Sequence, residues 1–251
     1  LEECFGDLYT QIFAVETGLS SDPSMNRRLS QLDRCALISC SDAHSPSKLG
    51  REATVFSTSL NYHAIRSALR EPEDEGLLGT VEFFAQEGKY YLDGHRKCGI
   101  SLAPKQNRLD TPRCPVCGRP ITVGVLGRVN ALADRQENKP SPRERPYISL
   151  ISLNDIIGQA IDLGSASRRV CRIAEHCYEK LGGELHMLKD LPLSQIEYAV
   201  GPLIAAGIER VRNKRVSIEP GYDGRFGRIR LFSDDERGEF ASQVSDLMRL
   251  R

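Results

Sequence analysis

Two groups of side chains in this sequence have the types and spacing that metal chemistry needs. The first group is Asp42 and His44, which directly follow the apolar run at positions 35–38. Side chains at i and i+2 of an extended segment point to the same side, so the carboxylate and imidazole could bind a divalent metal or move a proton. The same pattern is also typical of a surface turn with an exposed histidine.

The second group is the pair of short motifs His95-x2-Cys98 and Cys114-x2-Cys117. Tetrahedral zinc takes four nitrogen or sulfur ligands, and a gap of two residues lets one tight turn present two of them. Because these side chains would supply all four ligands, the group predicts a structural zinc site without an open catalytic position. The alternatives are free buried cysteines with a surface histidine, or a water or Asp93 as the fourth ligand.

A third set of polar residues follows the first predicted strand, QIFAV at 11–15. Glu16, Thr17 and Ser20 come directly after it, where they could reach a metal or line a substrate pocket. We assign Glu16 to the catalytic group and the others to substrate binding, together with Asn26 and Arg27. The guanidinium of Arg27 could grip a phosphate, although a salt bridge on a helix surface explains it equally well.

The elements that must position these residues alternate between strand and helix in the first segment, 1–76. Strands are predicted at 11–15 and 35–38, and helices at 25–32 and 62–69. This alternation predicts an α/β fold with a parallel sheet or barrel. Asp42 and His44 would then lie at the carboxyl end of a strand, where barrel enzymes build their sites.

The rest of the chain divides into three further segments. Segment 77–130 has a predicted hairpin, TVEFFAQEGKYYLDG, followed by few apolar residues. Because so few apolar side chains cannot form a sufficient core, the segment is expected to need a cross-link such as a bound metal ion. Segment 131–146 is charged, carries three prolines and is predicted to be a linker. Segment 147–251 is predicted to be mainly helical, with capping boxes at SLND and SQIE and a terminal β-hairpin around PGYDGRFG.

Basic residues exceed acidic ones between positions 96 and 145, although the whole chain has a formal net charge of zero. This excess could neutralise DNA phosphates, and an ordinary solvated surface accounts for it equally well. The basic residues are Arg96, Lys97, Lys105, Arg108, Arg113, Arg119, Arg128, Arg135, Lys139, Arg143 and Arg145. Tyr90 and Tyr91 could stack on a base, but such residues in a strand are more typical of core or cross-strand contacts.

The composition is that of an ordinary globular protein, with 251 residues and 40% hydrophobic side chains. No stretch approaches the roughly 18 to 20 apolar residues of a membrane span, which predicts no membrane partner. The eight cysteines are scattered apart from the one cluster, and no secretory signal is visible. A reducing, cytoplasmic compartment is therefore predicted.

The stretch VETGLSSDPSMNRRLS…LISCSDAHSPSKLGRE resembles the closing part of a polymerase-and-histidinol-phosphatase (PHP) domain. Together with DGHRKCGISLAP, RCPVCGRPITVGVL and PGYDGRFGRI, it makes nearly the whole chain resemble the C-terminal part of the endonuclease Q family. The resemblance implies the end portion of a PHP-type (β/α)7 barrel, then a small zinc-ribbon-like segment and a mainly α-helical C-terminal domain.

The resemblance also implies an activity: metal-dependent hydrolysis of DNA 5′ to uracil, hypoxanthine, xanthine or an abasic site. Asp42 and His44 match the last metal-binding motif of the PHP domain, whose ions would be Zn, Mn, Mg or Fe. The earlier H-x-H and other ligands of that domain are not in this sequence, so either the sequence is a fragment that a preceding segment completes, or the gene is truncated. Two alternatives stay open: a non-catalytic DNA-binding fragment with a structural zinc, and a PHP phosphoesterase for a small phosphate ester.

Overall fold

A computed structural model gives the fold of the chain as two compact units. The first contains residues 1–148 and 219–228, and the second contains residues 149–218 and the described residues from 229 onward. The structure describes residues 1–71, 75–103, 112–137, 139–233 and 235–236. Both predicted site groups lie in the first unit.

The strands of the first unit form small sheets. β1 (Ala14–Glu16) and β2 (Ala36–Ile38) are parallel, with Glu16 opposite Ile38. A three-stranded sheet follows in the order β3 (Ala53–Phe56), β4 (Leu77–Glu82) and β7 (Tyr147–Ser149). β3 and β4 are antiparallel. The combination of helices with parallel and antiparallel strand pairs confirms the mixed α/β class, whereas the PHP barrel stays a prediction.

Two further strand pairs complete the described sheets. β5 (Asp93–His95) and β6 (Ile100–Leu102) are antiparallel, with His95 opposite Ile100. β8 (Ser217–Glu219) and β9 (Arg228–Arg230) flank the glycine-rich loop and pair with each other. Residues 219–228, predicted within the C-terminal domain, group with the first unit instead. They group with the first unit because the backbone amides of Gly221 and Gly227 donate hydrogen bonds to backbone carbonyls of that unit.

The helices of the first unit are short. They are α1 (Glu2–Phe5), α2 (Pro23–Asn26), α3 (Tyr62–Arg70) and α4 (Val125–Leu132), with 3₁₀ turns at Gly6–Gln11, Ser30–Leu32, Pro46–Lys48, Ala85–Glu87 and Arg96–Cys98. Asp22 caps α2 by accepting a 2.8 Å hydrogen bond from the Met25 amide, as the Asp-Pro pair predicts. The helix predicted over 25–32 is wrong in extent, because it breaks into α2 and a 3₁₀ turn. Its apolar side chains Met25, Leu29 and Leu32 nevertheless belong to one core cluster, which they share with Ala85, Tyr91 and Val129.

The second unit is built from helices. They are α5 (Leu153–Ile161), α6 (Arg168–Leu181), α7 (Glu184–Lys189), α8 (Leu193–Val200) and α9 (Pro202–Arg212). Helices α5, α6, α8 and α9 pack together and bury branched aliphatic side chains on their facing sides. The fully buried ones include Leu153, Ile156, Ile157, Val170, Ile173, Ile196, Leu203, Ile204 and Ile208. The capping role of Ser152 is confirmed, since its hydroxyl accepts from the Asp155 amide.

Three local predictions are corrected by the structure. The hairpin over 80–94 does not form, because β4 pairs with β3 and β5 pairs with β6. The SQIE capping box does not form, because the N-cap is Pro192, two residues earlier, and Ser194 lies inside α8. The segment 131–146 is not a free linker, since Arg143 is 6% exposed and donates to the carbonyls of Arg34 and Leu69 at 2.8 and 2.9 Å.

Across the part of the chain that the structure describes, no helix is both long and apolar enough to cross a membrane.

Candidate active site and metal site

The carboxyl ends of β1 and β2 place the predicted catalytic residues on one edge of the first unit. Because the two strands are parallel and in register, the chain leaves both of them at the same edge. Glu16 is the last residue of β1 and is exposed, and the segment that carries Asp42 and His44 leaves β2 at this edge. The structure thus places Glu16 and the start of the Asp-x-His segment at a common strand end.

Asp42 has an unusual backbone conformation, with φ at +45°. The left-handed region is disfavoured for residues with a Cβ, although Asp and Asn tolerate it best. The extended geometry assumed for Asp42 and His44 is therefore wrong. Instead, Nδ1 of His44 lies 2.7 Å from the backbone oxygen of Asp42. Such a contact fixes the ring and leaves Nε2 for another partner, as in many metal-ligating histidines.

Two carboxylates that the sequence analysis did not identify, Glu52 and Glu82, lie near this strand end. Glu52 is 3% exposed and accepts a 3.4 Å hydrogen bond from the Phe83 amide. Burial is the main cause that raises the pKa of Glu52, and the charge of Glu16 raises it further. Burial also raises the pKa of Cys40, again with contributions from Glu16 and Glu52. Glu16 and Glu52 thus contribute negative charge at this edge, opposed at Glu52 by Arg51, and carboxylate oxygens are suitable ligands for a divalent cation.

Glu82 occupies the centre of a buried polar network beneath the same edge. It is 1% exposed and accepts hydrogen bonds from Thr17 Oγ1 at 3.0 Å, from Ser39 Oγ at 3.1 Å and from Thr80 Oγ1. Burial raises its pKa from the ordinary 4.5 to about 7, against the opposing effect of the three hydroxyl donors. Sequence reasoning missed Glu82, although a charged residue within the apolar run LLGTVEFF is a signal for a paired buried group.

The predicted substrate-binding residues have mixed positions. Thr17 is buried and bound to Glu82, and Ser20 is half-buried against the backbone of Gly88. The side-chain amide of Asn26 donates to Ser21 Oγ and the Asp22 carbonyl, both at 2.9 Å. None of these three side chains is fully exposed.

Arg27 does not face a substrate. Its guanidinium is 6% exposed and donates to the backbone carbonyls of Leu32, Cys35 and Arg143 at 2.7, 3.1 and 3.0 Å. Burial lowers its pKa to about 10. The predicted phosphate contact is corrected here, because all of these donors are directed to backbone oxygens inside the unit.

The catalytic ligand set is incomplete within the described residues. Carboxylate oxygens and an imidazole nitrogen are suitable donors for Zn, Mn, Mg or Fe. Among the residues that the structure describes, however, Glu16, Asp42 and His44 do not come together as a group of three ligands. The donor chemistry suits a divalent metal, but further ligands would have to come from other residues.

The four residues of the predicted zinc site do come together. One ligand atom from each of His95, Cys98, Cys114 and Cys117 lies within 4.8 Å of all the others, and His95 Nδ1 is 3.4 Å from Cys117 Sγ. Zinc bonds of about 2.0 to 2.3 Å in a tetrahedron imply ligand separations of roughly 3.5 Å. The arrangement therefore fits one tetrahedral ion.

Both halves of this site are built as tight turns that close on a glycine. His95 ends β5, the 3₁₀ turn carries Cys98, and Gly99 follows with φ at +65°. In the second half, the Gly118 amide donates to the Cys114 carbonyl at 2.9 Å, with φ at +70° for Gly118. The left-handed conformation at each position favours glycine, because it turns the backbone sharply around the ligands.

Local hydrogen bonds favour the metal-binding form of Cys114. Burial raises the pKa of this thiol, but the amides of Cys117 and Val116, together with the side chains of His95 and Cys117, outweigh that effect and lower the pKa to about 6. Burial and the neighbouring thiols of Cys117 and Cys114 raise the pKa of Cys98 to about 11, so the cluster favours one thiolate before metal binds. Asp93, the alternative fourth ligand, is 2% exposed and accepts a 2.8 Å hydrogen bond from the Gly124 amide instead. His95 therefore completes the ligand group.

The basic excess is only partly available to a ligand. Arg135 is paired with Asp33, Arg143 is buried, and Arg145 donates to the Leu77 carbonyl. These three residues stabilise the first unit, so their predicted role in a phosphate-binding patch is corrected. Lys105 and Arg108 lie outside the described residues. The exposed members are Arg96, Lys97, Arg113, Arg119, Arg128 and Lys139.

Fold and sites together define a mixed α/β protein with a Cys₃His group that could hold a metal ion and with carboxylates near the ends of two parallel strands. No family model matches the chain. The solved structure of PfuEndoQ, a lesion-specific endonuclease from Pyrococcus furiosus, is similar to it with a TM-score of 0.79 and 29% identity, over 92% of this chain and 57% of that one. A structure of endonuclease Q with a 27-mer duplex substrate carrying an abasic lesion at the active site gives a TM-score of 0.78 and 28% identity, over 94% and 59%.

The resemblance to the endonuclease Q family is confirmed in both sequence and fold. Two curated relatives are similar in sequence. The uncharacterized protein MJ0043 of Methanocaldococcus jannaschii is 30% identical over 223 residues, and the uncharacterized protein YqxK of Bacillus subtilis is 28% identical over 224 residues. The chain spans 28% and 53% of the lengths of these two proteins, while 86% and 88% of the chain itself is covered.

Proposed function

We propose that the protein containing this chain is a metal-dependent DNA endonuclease for damaged DNA. It would hydrolyse the phosphodiester 5′ to a deaminated base (uracil, hypoxanthine or xanthine) or at an abasic site. The observation that carries the proposal is a fold that matches a lesion-specific endonuclease over 92% of the chain, in which Glu16 and the segment carrying Asp42 and His44 leave two parallel strands at the same edge. Further catalytic ligands would have to come from residues outside the described part of the chain.

In this proposal, the chain's own residues have distinct tasks. Asp42, His44 and Glu16 would hold divalent metal, which when bound lowers the pKa of a water and neutralises the scissile phosphate. Glu82 holds the strand ends in place through Thr17 and Ser39. Because the negative edge would repel a phosphate, DNA would be expected to approach it productively only with metal present.

The other parts of the chain would position the DNA. The Cys₃His site fixes a segment with few apolar residues, and the exposed basic residues around it could contact the backbone. A damaged base must leave the stack before a pocket can read it. We place the protein in the cytoplasm, where DNA repair in a reducing compartment agrees with cysteines that are free or grouped for metal.

A non-catalytic DNA-binding role is the second candidate, because one observation favours it. Among the described residues, the only group of three or more possible metal ligands is the Cys₃His site. Metal analysis separates the two candidates. About one tightly held zinc per chain and no lesion-dependent nicking would support the binding role, whereas nicking that depends on Asp42 would support the endonuclease.

A further inference from the structure

Two motifs that lie far apart in the sequence meet on the first unit. They are the segment 86–90 and the glycine-rich loop 220–228. Three loop amides donate to segment carbonyls at 2.8, 2.8 and 3.0 Å: Gly221 to Gln86, Gly224 to Lys89 and Gly227 to Glu87. The two backbones lie too close for side chains between them, since a Cβ at Gly221 would be 2.4 Å from the Gly88 oxygen and one at Gly227 would be 2.1 Å from the Gln86 oxygen.

The turn of the loop is held on its other side by Asp223. Its carboxylate accepts from the Arg96 amide at 2.6 Å and from Thr122 Oγ1 at 2.7 Å. Burial raises the pKa of Asp223, but these donors outweigh it and hold the pKa below its ordinary value. The loop is therefore fixed on both sides, and its exposed side chains are presented from a rigid base.

Two aromatic rings on this fixed surface are left open to solvent. Tyr90 is 44% exposed and Phe226 is 69% exposed. The Lys89 ammonium lies 5.6 Å from the centroid of the Tyr90 ring and 5.8 Å from that of the Phe226 ring. A cation thus lies within reach of two ring faces. Neither ring belongs to the core, whereas the neighbouring Tyr91 is 9% exposed and does.

The charges around these rings favour a polyanion. The exposed basic residues in segments 86–97 and 219–228 are Lys89, Arg96, Lys97, Arg225 and Arg228. The exposed acid in the same segments is Glu219, and Glu87 is half-buried, whereas Asp93 is buried and Asp223 is bound to local donors. Exposed aromatic rings among basic side chains are the combination that binds single-stranded nucleic acid, with bases on the rings and phosphates on the cations.

We propose that Tyr90 and Phe226, with Lys89 and Arg96, form a platform that stacks an unpaired base of a DNA strand. The platform rests on the proposed function, because it would take the nucleotides that are unpaired when a lesion leaves the duplex. The platform gives the PGYDGRFG motif a role in DNA binding that is separate from the roles of the acidic edge and of the Cys₃His group. The shared chemistry is base stacking together with phosphate neutralisation, and the occupant is single-stranded DNA.

The test is binding of a labelled single-stranded 15-mer without added divalent metal, using the protein in the full length that its gene encodes. Tyr90→Leu and Phe226→Leu should each weaken binding about tenfold. Both should also reduce the quenching of a 2-aminopurine in the strand. Lys89→Gln should lower the slope of log affinity against log salt by about 0.7. Tyr198→Leu is the matched control, because Tyr198 is 94% exposed on α8 and belongs to the second unit.

Equal binding by wild type, Tyr90→Leu and Phe226→Leu would overturn the platform, as would an equal loss in Tyr198→Leu. Thermal midpoints and zinc content measured on each variant show that it is folded. The outcome is separate from nicking. If the wild type nicks damaged DNA but both ring variants bind single-stranded DNA as well as the wild type, only the platform is overturned. If both ring variants bind more weakly but the wild type does not nick damaged DNA, the endonuclease proposal is overturned and the platform stands.

Discussion

Thr17 Oγ1 donates a 3.0 Å hydrogen bond to Glu82 Oε2, across 65 residues of sequence. The same carboxylate oxygen accepts from Ser39 Oγ at 3.1 Å. Thr17 directly follows β1 and Ser39 directly follows β2, so one buried carboxylate connects the ends of the two parallel strands that carry the candidate site. Such a buried charge costs stability, which is common where a functional site needs a fixed arrangement.

Glu82 should make stability depend on pH. Its pKa is raised from 4.5 to about 7 in the folded state, so the folded protein binds the proton more tightly than the unfolded chain between these values. The contribution of Glu82 to stability is therefore largest below about 4.5 and is lost as the pH rises through 7. Glu82→Gln should remove this slope and gain stability relative to wild type, on the order of 3 kcal/mol near neutral pH.

Urea unfolding at a series of pH values measures this difference. Glu71→Gln is the control, because the Glu71 side chain is 59% exposed and should change the free energy of unfolding by less than about 0.5 kcal/mol. If wild type and Glu82→Gln keep the same pH dependence, the raised pKa of Glu82 is refuted.

The Cys₃His group should hold about one zinc per chain. Cys117→Ser should lose that zinc and lower the unfolding midpoint by about 10 °C or more, because a structural ion contributes folding free energy directly. Elemental analysis and thermal unfolding measure both effects. Cys4→Ser is the matched control, since Cys4 is exposed and outside the group. Full zinc content in Cys117→Ser would contradict the assignment.

Arg27 should act on stability through the backbone carbonyls that it binds. Arg27→Lys keeps the charge, but a single ammonium group cannot donate to the carbonyls of Leu32, Cys35 and Arg143 at once, as the forked guanidinium does. We expect a loss of about 3 kcal/mol in the free energy of unfolding, because buried acceptors lose charged donors. Arg70→Lys, at a side chain that is 54% exposed, should cost less than about 0.5 kcal/mol. A silent Arg27→Lys would restore the possibility of a substrate role.

Local signals in the sequence predicted local structure well. The hydroxyl of Ser152 caps α5 as the SLND motif predicts, and Asp22 caps α2 just before Pro23, because caps depend on residues within one turn. The grouping of His95, Cys98, Cys114 and Cys117 was also predictable, since each pair is set by a short turn. Pro192 displaced the expected cap at Ser194, because its fixed φ suits the residue that precedes the first helical turn.

Long-range partners could not be read from local patterns. The expected hairpin failed because the carbonyls of Gln86, Glu87 and Lys89 bind the loop at 220–228 instead of a neighbouring strand. Glu82 was missed because two of its three hydroxyl partners, Thr17 and Ser39, are 65 and 43 residues away in the sequence. Arg27 looks like a phosphate ligand in the sequence, and only tertiary packing shows that backbone carbonyls bind its donors.

The most direct test of the endonuclease proposal is strand nicking by Asp42→Asn, in the full length that the gene encodes. Asn tolerates the left-handed conformation that Asp42 adopts at φ +45°, so this change removes the charge without straining the backbone. The substrates are duplexes with one uracil, one hypoxanthine or one abasic site, with Mg²⁺ or Mn²⁺ supplied. The account predicts that wild type nicks 5′ to the lesion, and that Asp42→Asn loses at least about 1,000-fold in rate while its DNA affinity stays within about threefold. Undiminished nicking by Asp42→Asn, or no nicking by wild type on any of these substrates, would contradict it.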